Sequence, residues 1–208
     1  MDLLSLSHEY EDNPIARAIV NAIPYIGGSI DVALSAKWTR YHSQRIDDLL
    51  DKINNELSRI DATKIDKSFL ESEEFSDLVY SIAFNTIKTR NPEIRTGFAR
   101  IIKSALIQDD TVINLEDIVR QLSEMTQNDL LLLKTIKELY DTGQPVAGKT
   151  VSKALYSYNY SEIEAEIHLY RFENLGLLDH PRNRMSGRGE MAFTKMPLFD
   201  KTIGFLGL

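Results

Sequence analysis

The 208-residue chain has no cysteine. That excludes disulfides, thiol nucleophiles, and zinc or iron–sulfur centres held by thiolates. Histidine is scarce: His8, His42, His168 and His180 are the four, and none has metal-ligand spacing such as H-E-x-x-H. There is no G-x-S-x-G elbow around a serine nucleophile. Carboxylate pairs such as Asp47-Asp48 and Asp109-Asp110 fall on solvated faces or turns. No catalytic residue, metal ligand or cofactor is therefore assigned. Basic charge is in deficit, with 24 Lys+Arg against 31 Asp+Glu and a net charge of −7. General nucleic-acid affinity needs the opposite balance. Long apolar runs are also few. The uncharged stretch Ala18 to Ile30 is 13 residues, whereas a membrane-spanning helix needs ~20. The first residues, Met1 to Pro14, hold Glu9, Glu11 and Asp12 and no Lys or Arg, unlike a secretory signal. A cytoplasmic location is the expectation.

What is present is helical periodicity. Residues 1–125 hold 14 Lys+Arg and 21 Asp+Glu, and residues 126–208 hold 10 of each. All the excess acidity sits in the first part, which suggests a boundary near Thr126. We expect an N-terminal tail over 1–12, a helical bundle over 13–125, and a second domain over 126–208 ending in an apolar tail.

Asn13-Pro14 reads as a helix start, a cap followed by proline at the first helical position. Pro24 should kink the apolar segment Ile15–Ala36, and Gly27 and Gly28 permit close backbone approach. The length favours a kinked core helix with a tight helix–helix contact. A membrane-inserting hairpin, as in bacterial effectors with a short N-terminal helical hairpin, is the alternative. Lys37 to Asp61 is expected as one amphipathic helix. Ile46, Leu49, Ile53, Leu57 and Ile60 lie on its inner face, and Asp47, Asp48, Asp51, Lys52 and Glu56 on the other. Trp38 and Tyr41 fit the core or a partner surface, and the core is the expectation. Ser72 caps the next helix, with Phe75, Leu78, Val79, Ile82, Ala83 and Ile87 inward. Asn91-Pro92 opens another through about Leu106, with Ile94, Phe98, Ile101, Ile102, Ala105 and Leu106 as its apolar positions. Gln108-Asp109-Asp110 is a turn, and Asn114 caps a short helix carrying Leu115, Ile118, Val119 and Leu122.

The second part begins with Thr126 and Asp129, a variant capping box. A helix through Tyr140 ends at Gly143-Gln144-Pro145. Thr150–Tyr158 forms a second helix and Ser161–Asn174 a third, with Ser161 and Glu164 as its capping box. Leu177-Leu178-Asp179 starts a strand, an arginine-bearing loop follows, and Met191–Thr194 returns as a second strand. From Pro197 a tail runs with Leu198, Phe199, Ile203, Phe205, Leu206 and Leu208. It is expected to pack on the bundle or on a second subunit.

Gly143-Gln144-Pro145-Val146-Ala147-Gly148-Lys149-Thr150 matches the phosphate-loop pattern G-x-x-x-x-G-K-[ST]. That pattern has meaning only between a buried strand and a helix, and a helix precedes it here. We read the match as accidental, with Gly143 ending one helix and Thr150 capping the next.

In order and lengths, residues 126–196 resemble the winged-helix superfamily of transcription regulators and protein-binding adaptors. The resemblance implies a third helix, Ser161–Asn174, that reads a partner, and a wing that touches phosphate in the DNA-binding members. That helix carries Glu162, Glu164, Glu166 and Glu173 against Arg171 and His168. Such a face suits polypeptide better than DNA, so Glu162, Glu166 and Arg171 are assigned to a partner surface. The wing residues Arg182, Arg184 and Arg188 fit phosphate or a protein partner. The expected function is regulation by protein–protein contact, with self-association through the bundle or the tail. DNA binding through the wing is the alternative, and bilayer insertion through Ile15–Ala36 a further one.

Overall fold

The computed structural model describes residues 32–107, 114–180 and 192–208. Pro24, Gly27, Gly28, the Gln108-Asp109-Asp110 turn, Arg182, Arg184, Arg188 and the side chain of Trp38 lie outside the described residues. Helix dominates, and the described strands make one small antiparallel sheet of two. The chain divides into two compact units between Glu124 and Met125. No helix among the described residues is long and apolar enough to cross a membrane.

In the first unit, α1 (Val32–Leu57) packs on α3 (Glu73–Lys88) and α4 (Pro92–Ile107), and α5 (Leu115–Glu124) packs on α3 and α4. Local capping sets most of these starts. The Ser72 hydroxyl accepts from the Phe75 amide at 3.1 Å. The Asn91 side chain accepts from the Glu93 amide at 2.8 Å, and that of Asn114 from the Glu116 amide at 3.1 Å. Each satisfies an amide that the first helical turn leaves without a partner. A short helix absent from the expected pattern, α2 (Lys67–Leu70), is capped by Asp66, whose carboxylate accepts from the Ser68 and Phe69 amides. The Asp66 amide donates to the Leu106 carbonyl at 2.9 Å and ties this turn to the end of α4.

The inner faces of α3 and α4 are the expected ones. α4 is buried around most of its girth, with Ile94, Phe98, Ile101, Ile102 and Leu106 fully enclosed. α1 departs from expectation. It begins before Lys37 and ends at Leu57, Leu50 is buried too, and Tyr41 is half-exposed rather than core. Glu56, assigned to the solvent side, is buried. It accepts from Arg100 Nε at 3.2 Å and from Lys103 Nζ at 3.1 Å. A stripe of apolar positions cannot reveal this, because the cations that permit the burial lie 44 and 47 residues away. Asp48 likewise pairs with Arg95, which also donates to the Thr89 carbonyl, and Arg45 donates to the Ile87 carbonyl.

Burial pushes the Glu56 carboxyl pKa up, but the hydrogen bonds from Lys103 and Arg100 outweigh it and hold it below the ordinary glutamate value. A depressed folded-state pKa stabilises the fold above the unfolded-state value. That contribution disappears as pH falls through the folded-state value. Glu56→Gln should therefore cost about 1 kcal/mol near neutrality. The gap to the parent should close between about pH 5 and pH 3. Urea unfolding curves across that range check both the sign and the window.

In the second unit, α6 (Gln127–Asp141) leads to α7 (Gly148–Ala154), a 3-10 turn at Tyr156–Tyr158, and α8 (Glu162–Asn174). Strands β1 (Leu178–Asp179) and β2 (Thr194–Lys195) pair antiparallel, Leu178 opposite Lys195 and Asp179 opposite Thr194. The returning strand thus sits later than the expected Met191–Thr194. Phe193 makes an antiparallel bridge to Val146 instead, its amide donating to the Val146 carbonyl at 2.7 Å. The Tyr140 hydroxyl donates to the Phe193 carbonyl at 3.1 Å and ties α6 to the same segment. Burial, with the charge of Asp200 adding to it, pushes the Tyr140 phenol pKa up, so the group stays a donor. The apolar tail is a further helix, α9 (Pro197–Leu206), with Phe199, Ile203 and Leu206 buried. Phe199 stands edge-on to Tyr140 at 5.7 Å, so its cover comes from its own unit.

Candidate partner-binding site

α8 is the element around which the second unit is arranged. Ser161 and Glu164 start it with a complete capping box. The Ser161 hydroxyl accepts from the Glu164 amide at 3.2 Å, and the Glu164 carboxylate accepts from the Ser161 amide at 2.9 Å. The bond from the Ser161 amide foremost, and a second from the Ser161 hydroxyl to the carboxylate at 2.7 Å, hold the Glu164 carboxyl pKa below its ordinary value. Glu164 therefore serves its own helix rather than a partner.

The inner face of α8 is Ala165, Leu169 and Phe172, all fully buried, and the helix packs on α7 and β1. One flank is tied to the start of α6. Asp129, fully buried, accepts from Arg171 Nη1 at 2.8 Å and from His168 Nδ1 at 2.9 Å. It also accepts from the Thr126 amide and hydroxyl, both at 2.7 Å, which completes the capping box of α6. A carboxylate only accepts, so Nδ1 of His168 carries a proton. A neutral ring then accepts at Nε2 from the Tyr160 hydroxyl, 3.2 Å away. Burial raises the Tyr160 phenol pKa, with the charges of Asp129 and Glu164 adding to it, so Tyr160 remains the donor. One carboxylate thereby fixes both a helix start and the rotation of α8. Asp129, His168 and Tyr160 escape sequence reasoning, since Asp129 signals only its cap and Arg171 lies 42 residues away.

The outward face of α8 carries an apolar ridge between its glutamates. Ile163 is 70% exposed, Ile167 62% and Tyr170 45%. At spacings of four and three they form one ridge along the helix. Tyr156 and Tyr158, in the turn before α8, are exposed as well. The ridge had a signal in the sequence. Ile163, Ile167 and Tyr170 recur at four- and three-residue spacing, as do Ala165, Leu169 and Phe172, so the helix carries two apolar faces and can bury only one in its own core.

Beside the ridge, a cleft of about 220 Å³ opens between the start of α7 and α8. Glu162 and Glu166, both exposed, stand one turn apart on its α8 side, and Lys149 stands on its α7 side. Tyr170, His180 and Phe193 form an aromatic wall. Their ring centroids lie 5.5 Å apart for Tyr170 and His180, 5.3 Å for Tyr170 and Phe193, and 4.7 Å for His180 and Phe193. Of the residues assigned to a partner surface, Glu162 and Glu166 line this cleft, whereas Arg171 sits half-buried on the Asp129 flank.

The phosphate-loop lookalike forms the other edge. Gly143 follows α6, not a strand, and has φ +68° with its amide donating to the Tyr140 carbonyl, a helix-ending turn that glycine adopts freely. Ala147, not Thr150, is the N-cap of α7, and Thr150 lies inside that helix. Gly148 is required by packing. A Cβ there would fall 2.4 Å from Glu166 Cγ and 3.2 Å from the Glu162 carbonyl oxygen. The stem of a carboxylate thus covers the backbone that a phosphate would need. Among the described residues no cluster of three or more His, Asp or Glu is placed to hold a metal ion.

No protein-family model matches the chain, and neither a curated protein nor a solved structure matches it.

Proposed function

We propose that residues 126–196 form a winged-helix module whose third helix, α8, binds another protein, and that the chain is a non-enzymatic regulator acting through that contact. The exposed ridge Ile163–Ile167–Tyr170 carries this reading. Leaving branched aliphatic side chains in water at successive turns of a helix forgoes about 1.5–3 kcal/mol for each one that burial would recover. Covering the ridge with an apolar partner surface recovers it. DNA would meet the same ridge with charged phosphate and polar base edges, and Glu162 and Glu166 beside it would repel phosphate. The element order supports the module: helix, bridging residue Val146, two further helices, then the paired strands β1 and β2.

The alternative is DNA binding through Arg182, Arg184 and Arg188, and a salt titration separates the two. Fluorescence anisotropy with a labelled duplex should show no binding tighter than the non-specific range of about 10⁻⁴–10⁻⁶ M at physiological salt. Substituting Arg182→Ala, Arg184→Ala and Arg188→Ala together should leave that weak binding without sequence preference. Submicromolar affinity that falls steeply with salt and disappears in the triple variant would establish the DNA reading instead.

A further inference from the structure

We infer that the cleft beside the α8 ridge is a socket for a single arginine side chain projecting from the protein partner. The inference rests on the protein-contact reading and deepens it by naming the chemistry that the partner presents.

Size comes first. At about 220 Å³ the cleft is smaller than the ~300–1,000 Å³ of pockets that enclose whole small-molecule ligands. It suits one long side chain. Chemistry comes second. A guanidinium is planar, stacks on aromatic faces and donates in a fork that matches carboxylates. The cleft offers both complements, an aromatic wall of Tyr170, His180 and Phe193 and the carboxylates of Glu162 and Glu166. Phe193 is 4% exposed and belongs to the packed floor, so an aliphatic stem has a firm apolar surface to lie on. Position comes third. Glu166 is seated by close packing, because its stem crosses the bare backbone of Gly148 where no other residue would leave room. Tyr170 belongs both to the wall and to the ridge, so one partner surface covering Ile163 and Ile167 can place an arginine here.

Lys149 stands at the mouth, and its charge opposes an incoming cation. Two carboxylates stand on the other side, so among the described lining residues acid outnumbers base. The aromatic wall favours arginine over lysine, because a compact, strongly hydrated ammonium gains less from stacking.

The probe is N-acetyl-arginine methylamide titrated into the full-length chain, followed by backbone and methyl NMR. Its controls are the citrulline analogue, isosteric but uncharged, and the lysine analogue. Shifts should appear at Gly148, Glu166, Tyr170 and His180. The citrulline analogue should bind about tenfold more weakly, the loss expected when a charge-assisted hydrogen bond becomes a neutral one. Glu166→Gln preserves the stem over Gly148 and should weaken the arginine probe by a similar factor while leaving the fold's spectrum intact. Gly148→Ala, which displaces Glu166, should weaken it too. Equal binding of the citrulline analogue, shifts elsewhere on the surface, or no shift at these four residues would overturn the socket. The outcome is separable from the contact reading. A protein adduct formed through a photoreactive group at position 167, with a cleft that ignores the arginine probe, leaves the contact standing and removes the socket.

Discussion

Asp129→Asn should lower the stability of the second unit by about 3 kcal/mol, the cost of removing one member of a buried ion pair. The carboxylate is fully enclosed and takes four hydrogen bonds, from Arg171, His168 and both donors of Thr126. An amide of the same shape keeps one oxygen acceptor and presents an NH₂ to the others. Arg171 retains a third of its side-chain exposure, so water repays part of the loss on that side. Arg171→Met keeps the apolar stem but leaves the Asp129 charge with only His168 and Thr126, and should cost about 2 kcal/mol. Since both changes break the same bond, the double variant should fall short of their sum by about 1–2 kcal/mol. A double-mutant cycle from urea unfolding, read on methyl resonances of Leu169 and Ala165, measures that coupling. Strict additivity would mean that the Asp129–Arg171 pair contributes no stability of its own. The pair also sets which face of α8 looks outward. Variants that break it should therefore weaken any partner contact by more than the surface changed would explain.

In the first unit the largest loss should come from Phe98→Ala, at about 3–5 kcal/mol. Phe98 is fully buried on α4, the helix enclosed by α1, α3 and α5. Truncation forfeits the transfer free energy of the ring and leaves a cavity that helices packed on several sides cannot close. Tyr80→Ala is the matched control. Tyr80 stacks on Phe84 at 6.3 Å on the outer face of α3 and is 48% exposed. Its loss should stay within about 0.5 kcal/mol of neutral, as for surface positions generally. The two denaturant midpoints check the ranking, which would fail if Tyr80→Ala proved as costly as Phe98→Ala.

The parts of the fold that could be read from the sequence are those whose physics is local. Ser72, Asn91-Pro92, Asn114, Thr126 with Asp129, and Ser161 with Glu164 all act within three residues. Each marks a helix start that the structure has. The inner faces of α3 and α4 were legible because burial at three- and four-residue spacing is a property of one segment. What was not legible depends on distant partners. Glu56 is inside because Arg100 and Lys103 reach it, and Asp129 is inside because Arg171 and His168 do. The second strand begins later than its composition suggests because Phe193 is drawn to Val146. The candidate site was half legible. Glu162 and Glu166 stood out as charge that DNA would not welcome. The ridge beside them had a signal in its spacing, but which of the two apolar faces is buried depends on Asp129 and the rest of the unit.

The most direct measurement places a benzophenone amino acid at Ile167 of the full-length chain, irradiates it in its native cells, and identifies what is joined to it. The account predicts discrete protein adducts that vanish when Ile163→Asp disrupts the ridge and persist when the exposed Tyr80, on the other unit, is changed to Ala. Adducts to nucleic acid, or protein adducts indifferent to Ile163→Asp, would contradict it.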